Sequence, residues 1–338
     1  MLAGKRVLVT GGTGSFGKEF CKNVLDNYDV KKLIVYSRDE LKQFEMQSNP
    51  IFLEAYNVNK LDFFIGDIRD EKRLMMAFKG VDIVIHAAAM KQVVACEQNP
   101  FEAIKTNILG AQNIVNAAIE CGVKDIVALS TDKAASPVNL YGATKLASDK
   151  IFVAANNLSG SSDVKFSVVR YGNVMGSRGS IVPFFKKLVE EGSKNLPITD
   201  TSMTRFNISL EDGVKLVIFA LKHMWGGEIF VPKIPSYKVT DIAQAIAPDL
   251  GTEIIGIRPG EKIHEDLISE TDALNAVEFE SHFVITPTIS DWSIEEYAKN
   301  GPLGIGKICK HGFRYSSDNN PDFLEIPQLQ ELTKEYKG

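Results

Sequence analysis

The chain has 338 residues, 44% apolar and 24% charged, with 38 basic against 43 acidic side chains for a formal net charge of -5. That balance excludes the basic face that nucleic acid or an anionic membrane surface needs, although a few local Arg and Lys suffice for a small anionic ligand. Ordinary Gly and Pro usage excludes fibrous and low-complexity chains, and the length accommodates one large domain with a smaller lobe.

Cys21, Cys96, Cys121 and Cys309 lie too far apart for a zinc-site spacing or a disulfide framework. They read as reduced thiols, and no metal site is expected. The chain enters a strand soon after Lys5-Arg6, without the apolar stretch of a signal peptide. No run reaches the roughly 18 apolar residues that span a bilayer. The expectation is a soluble, cytoplasmic protein.

In chain order, Val7-Leu8-Val9, Leu33-Ile34-Val35-Tyr36, Phe63-Phe64-Ile65, Ile83-Val84-Ile85, Ile126-Val127-Ala128-Leu129 and Phe166-Ser167-Val168-Val169 read as buried strands. Helix-like stretches such as residues 17–27 and 107–121 separate them. Strands apolar on both faces, spaced by helices, predict an α/β fold: a Rossmann-type, doubly wound parallel sheet. Residues 1–172 form the dinucleotide-binding domain in this reading, with 207–231 returning to it. Past Gly172 the alternation weakens and Pro becomes frequent, so residues 173–206 and 232–338 read as a smaller, irregular C-terminal substrate lobe. The tail from Gly301, rich in Gly, Asn, Ser and charge, is expected to be irregular.

The first strand runs directly into Thr10-Gly11-Gly12-Thr13-Gly14-Ser15-Phe16-Gly17, which opens the first helix. Glycines permit the tight turn and close backbone approach, while a helix N-terminus offers free N–H groups to a pyrophosphate. The spacing is G-x-x-G-x-x-G through Gly11, Gly14 and Gly17; Thr13, Ser15 and Phe16 line the same loop. After the second strand come Ser37, Arg38 and Lys42, which favour the extra phosphate of NADP, while Asp39 stands where a one-residue shift would bring a carboxylate to the ribose. Asp67 and Ile68 after the third strand are placed to bracket the adenine, and Ala87 and Ala89 after the fourth offer small residues beside the cofactor. His86 by itself reads as a packed histidine.

Tyr141 and Lys145 are four residues apart, hence on one helix face, and a cation beside a phenol lowers its pKa so that it can act as a base. Y-x-x-x-K alone usually marks a surface helix; its weight here comes from following a nucleotide-binding strand-turn-helix.

Taken together, the loop glycines, the Asp67 turn, Asn107-Ile108-Leu109-Gly110 and Tyr141/Lys145 resemble the extended short-chain dehydrogenase/reductases that act on nucleotide sugars. Thr131-Asp132-Lys133 narrows the resemblance: hexose 4,6-dehydratases usually carry Asp-Glu there, and Asp-Lys is similar to the N-acetylglucosamine dehydratases, specifically the soluble, inverting group that begins pseudaminic acid synthesis. The resemblance implies NADP as cofactor, UDP-N-acetylglucosamine as substrate, a homo-oligomer, and a product destined for a surface glycan or flagellin. It makes Tyr141 the base at the C4 hydroxyl, Lys133 the base at C5, Asp132 the acid at the C6 hydroxyl, and Thr131 the partner of the C4 oxygen. Lys133 must then be neutral part of the time and Asp132 protonated. The resemblance also implies that Asn173, Arg205, Arg258 and Glu261 face the nucleotide and that Lys91 lies near cofactor or sugar, with Arg178 a weaker candidate. Two departures from the family pattern, Val94 in place of Pro and Asn207 in place of Trp, bear on local shape around Lys91 and the nucleotide lobe. A 4-epimerase, a retaining dehydratase and a non-catalytic NADP sensor are the alternatives. Asp132-Lys133 counts against the first, Tyr141 against the second, and the intact Tyr/Lys pair against the third.

Overall fold

Six runs of apolar and β-branched residues form parallel strands: β1 (Arg6–Thr10), β2 (Lys32–Ser37), β3 (Leu61–Ile65), β4 (Ile83–His86), β5 (Asp125–Leu129) and β6 (Lys165–Val169). The computed structural model describes residues 1–158, 160, 163–176 and 180–334. Every residue of β2 and β4 is buried, as a strand covered on both faces requires. The lateral order is β3-β2-β1-β4-β5-β6, followed by Ile229–Pro232 as a seventh parallel strand. Because β1 lies between β2 and β4, the strand order reverses there and opens a crevice at the carboxyl ends.

Helices Ser15–Asn27 and Leu210–His223 pack against each other, and the latter also covers β5 and β6. The second of these is well terminated. Ser209 accepts a hydrogen bond from the Asp212 N–H, acidic Glu211 and Asp212 occupy the first turn, and Lys222 and His223 the last. Helices Gly110–Cys121 and Leu140–Leu158 pack together beside the sheet. The stretch read as one helix over 107–121 begins as a π-helical turn, Lys105–Leu109, which continues into Gly110–Cys121.

Two features of the second half differ from the sequence reading. Residues 276–308 were assigned to the lobe, yet three of their strands extend the central sheet: His282–Ile285 pairs antiparallel with Ile229–Pro232, then Ala276–Glu278 and Lys307–Ile308 follow. These strands are only two to four residues long, too short for a period to register, but Val277, Phe283 and Val284 are buried in the main core. The tail is likewise ordered. Tyr315 packs against Phe206 and Phe283 at ring-centre distances of 5.0 and 5.1 Å and donates to the Ile234 carbonyl, and the last described element is helix Ile326–Lys334.

The lobe has its own core, in which Val182, Phe185, Leu196, Ile198, Ile242 and Leu329 are buried. Strand Thr204–Ile208 is the middle of a separate three-stranded sheet, pairing antiparallel with Ser236–Lys238 and parallel with Asn173–Val174. No helix among the described residues is long and apolar enough to cross a membrane, and no cluster among them could hold a metal ion.

Arg170, directly after β6, is almost fully buried and ties three parts of the chain together. Its guanidinium donates to Asp149 on helix Leu140–Leu158 (3.3 Å), to Asp272 (2.9 Å) and to the Leu267 carbonyl (3.2 Å). Removing one partner of a buried ion network leaves uncompensated charge. Arg170→Ala should therefore cost about 3–5 kcal/mol, read as a lowered denaturation midpoint with unchanged slope in chemical unfolding.

Candidate active site

The loop between β1 and helix Ser15–Asn27 is shaped by backbone proximity. Gly11 adopts φ +66°, and a Cβ there would stand 2.9 Å from the Ala88 Cα and N. A Cβ on Gly17 would meet Gly12 Cα at 2.5 Å. The first contact presses the loop against the β4 end, where Ala87 and Ala89 stand, and the second folds the loop back on the start of the helix. Gly14 is the N-cap, no side chain caps the helix, and its first turn holds no acidic residue. The N–H groups of Ser15 and Phe16 thus belong to a helix end electrostatically disposed towards an anion, as a dinucleotide pyrophosphate requires. Phe16 stacks on Phe20 at 6.0 Å.

Thr13 and Ser37 share a buried hydrogen bond of 3.0 Å, joining the loop to the β2 end. Arg38 is largely exposed, its Nη1 3.8 Å from Asp67 Oδ2. The position of Asp39 is decided by the following helix, Glu40–Gln47: its carboxylate caps that helix by accepting from the Lys42 N–H and pairs with Lys42 Nζ at 2.8 Å. Asp67 is half-buried. Burial pushes its carboxyl up, but hydrogen bonds and charge from Arg69 outweigh this and hold it below its usual range. Ile68 is buried and fills the space above Gly110, where a Cβ would meet its Cδ1 at 2.8 Å. His86 is a packed residue: its Nδ1 lies 2.8 Å from Thr10 Oγ1, and burial together with the Lys145 charge pushes its pKa down to about 3.

Asn107 holds the loop after β4. It accepts from the Met90 N–H, donates to the Met90 carbonyl, and donates to Thr144 Oγ1 on the next helix. Lys91 follows on that loop, exposed.

Beyond β5 the chain makes a single 3-10 turn, Asp132–Ala134. Thr131 caps it and donates to Asp132 Oδ1 at 2.8 Å. Lys133 Nζ lies 3.1 Å from the same oxygen, 3.2 Å from Asn173 Oδ1 and 3.2 Å from Glu265 Oε1. Asp132 is fully buried, and its Oδ2 has no partner. Gly142 lets helix Leu140–Leu158 close over the turn: a Cβ there would stand 2.2 Å from the Lys133 carbonyl. That closeness is what brings Tyr141 to the turn. Burial pushes the Tyr141 phenol up to about 12 against the pull of Lys133, so here the phenol is not the lowered one expected from the motif. Burial lowers the Lys145 ammonium, with Asp149 opposing. For Lys133 burial also favours the neutral amine, but Asp132 and Glu265 together reverse this and hold the ammonium above its ordinary range.

On the lobe side, Asn173 meets Lys133 as described. Arg205, expected to face the nucleotide, is buried, and its guanidinium donates to the carbonyls of Thr204, Ile263 and Lys262 at 2.7, 2.9 and 3.0 Å. In this geometry it braces the loop that carries Arg258 and Glu261. Arg258 is exposed on that loop, and Glu261 Oε2 accepts from Thr199 Oγ1 at 3.3 Å. The loop docks on the segment that follows the Asp132–Ala134 turn: Asn139 donates to the Gly260 carbonyl (2.7 Å), and Lys262 Nζ to the Ala135 carbonyl (2.7 Å). Arg178 lies outside the described residues.

Glu265 was absent from the sequence reading. His264-Glu265 at the foot of the short strand Asp266–Ile268 looks like a solvated pair, and no local pattern marks it otherwise. Only the fold carries it to Lys133.

The profile of the polysaccharide biosynthesis protein family matches residues 7–287. The chain belongs to this family, within the extended short-chain dehydrogenase/reductases. It is 57% identical, over 100% of both chains, to a Campylobacter jejuni (strain 81-176) protein named UDP-N-acetylglucosamine 4,6-dehydratase (inverting). A Rickettsia canadensis family relative named UDP-glucose 4-epimerase is 41% identical over 98% of this chain and 96% of that one. Among solved structures, Pen from Bacillus thuringiensis aligns with a TM-score of 0.86 and 38% identity, covering 99% of this chain and 98% of its own. The dTDP-glucose 4,6-dehydratase DesIV of Streptomyces venezuelae, solved with NAD, shares the fold at a TM-score of 0.65 and 22% identity over 76% of this chain and 86% of that one.

The cradle can be tested directly. Gly11→Ala forces a Cβ onto the Ala88 backbone at a positive φ. It should weaken dinucleotide binding by at least about tenfold in titration calorimetry.

Proposed function

We propose that this enzyme catalyses the inverting dehydration of UDP-N-acetylglucosamine to UDP-2-acetamido-2,6-dideoxy-β-L-arabino-hex-4-ulose. It is then a hydro-lyase rather than a net oxidoreductase. The observation that carries the reading is the ion pair of buried Asp132 with partly exposed Lys133 beside Tyr141, an acid and a base that an epimerase does not need. The full-length identity to the Campylobacter dehydratase supports it.

Gly11, Gly14 and the N-terminus of helix Ser15–Asn27 would hold a nicotinamide dinucleotide, which would supply reversible hydride transfer between the sugar carbons C4 and C6. Tyr141 would receive the proton of the C4 hydroxyl as the phenolate, a form that the Lys133 charge favours against burial and that a positive nicotinamide ring would favour further, and Thr131 would hydrogen-bond the same oxygen. With C4 a ketone, the C5 proton is acidic, and Lys133 removes it. Asp132 protonates the departing C6 hydroxyl through its partnerless Oδ2. A neutral substrate filling the site adds desolvation, which favours the neutral amine and the neutral carboxyl alike. The pyrophosphate of the substrate meets Arg258, with Asn173 and Glu261 ordering the nucleotide side, and Lys91 approaches from the β4 loop.

NADP is the cofactor in this reading. Arg38 and Ser37 stand at the β2 end, and the competing carboxylate, Asp39, is committed to capping the next helix. The resemblance further supports a cytoplasmic homo-oligomer whose product enters pseudaminic acid synthesis.

Purified protein with NADP and UDP-N-acetylglucosamine should give a nucleotide sugar lighter by one water in mass spectrometry; formation of the galacto epimer alone would refute the dehydratase reading. Lys133→Ala should lower dehydration at least about a hundredfold while dinucleotide affinity holds. Arg38→Ala should weaken NADP binding about tenfold and leave NAD binding unchanged.

A further inference from the structure

The Lys133 ammonium meets two carboxylates where one would neutralise it. Asp132 and Glu265 are both buried, each presents one oxygen to Lys133 Nζ at 3.1 and 3.2 Å, and each keeps its other oxygen buried and without a partner. Their anchoring differs. Asp132 sits in the turn itself, and its Oδ1 also accepts from Thr131. Glu265 comes from the far side of the sequence and is pinned by the tail: its N–H donates to Ser317 Oγ, its carbonyl accepts from the Ser317 N–H, and the next strand pairs with Tyr315–Ser316. Arg205 Nε stands 4.0 Å from Glu265 Oε1. Two cations therefore face Glu265, whereas Asp132 has Lys133 alone within ion-pair distance.

We propose that Glu265 is a positioning residue of the dehydration step: it is the standing carboxylate partner of Lys133, which leaves Asp132 free to carry the proton that the C6 oxygen takes as it departs. This rests on the dehydratase reading above. In the step, Lys133 enters as the neutral amine: the C5–H bond breaks, its proton goes to Lys133 Nζ, and Glu265 stabilises the ammonium that forms. The electron pair forms the C5–C6 double bond, the C6–O bond breaks, and the oxygen leaves as water with the proton from Asp132. If Asp132 were the sole counter-ion of Lys133, the ammonium would hold it ionised and the acid would be lost. The charged and titratable groups facing this pair are Asp132, Arg205, Lys262, Tyr141 and Tyr237. Burial raises Glu265 while Lys133 opposes, so its charge depends on that contact.

Glu265→Gln keeps the shape and removes the charge. Loss of a negative charge lowers the pKa of a neighbouring acid and of a neighbouring ammonium alike, so both limbs of the kcat–pH profile should move to lower pH by about one unit, with KM for UDP-N-acetylglucosamine within about threefold. Glu265→Asp retains the charge and should leave both limbs in place at a lower kcat. A Gln variant whose kcat falls with unmoved limbs would reduce Glu265 to a structural part and overturn the proposal; so would a large rise in KM alone, which would make it a substrate ligand. A second measurement avoids Glu265 variants. In Asp132→Asn, Lys133 should resist reductive methylation at pH 8, relative to Lys222 in the same digest, because Glu265 still holds the ammonium. Methylation of Lys133 as fast as Lys222 would contradict the proposal. Absence of dehydration by the wild-type protein would instead refute the dehydratase reading itself.

Discussion

The site is organised around one ammonium group. Lys133 Nζ sits within 3.2 Å of oxygens from Asp132, Asn173 and Glu265, which enter from the turn after β5, the strand after β6 and the lobe side of the chain. Withdrawing such charges from water is expensive, and the cost is offset only when geometry is good. The surroundings supply that geometry. Gly142 lets a helix close over the turn, Arg205 fixes the loop backbone at residues 262–263, and the tail pins Glu265. The consequence is a site assembled from distant segments, in which a change in the charge of one member alters the others.

The first half of the fold was legible in residues because its strands are buried on both faces. Val7-Leu8-Val9 and Leu33 to Tyr36 must be apolar throughout, and the six strands appear where those runs lie. The glycine loop was legible for a related reason: Gly11 and Gly17 are demanded by backbone contacts under 3 Å, which leave a mark on residue type. The second half left fainter marks. Strands of two to four residues show no period, and Tyr315 belongs to the core through a single ring and hydroxyl in a segment otherwise rich in Gly, Asn and Ser.

The same contrast runs through the site. Thr131, Asp132, Lys133 and Tyr141 lie within eleven residues of one another along the chain and could be read as a unit. Glu265 could not, because its role comes from a contact across more than 130 positions. Arg205 shows the opposite case. An arginine in a substrate lobe suggests a phosphate, and three of its five donors go to backbone carbonyls, so that it also braces the loop at residues 262–263. Residue type alone does not distinguish a donor turned to a ligand from one turned to the backbone.

The central claim is that Asp132 and Lys133, acting as acid and base, eliminate water across C5 and C6 and that C5 is inverted. Turnover of UDP-N-acetylglucosamine in deuterated water, followed by proton NMR of the product, tests it most directly. The account predicts a 4-keto-6-deoxy sugar that carries solvent deuterium at C5 with the L configuration there. A product that keeps its C5 proton, or gains deuterium there with the original configuration, would contradict it.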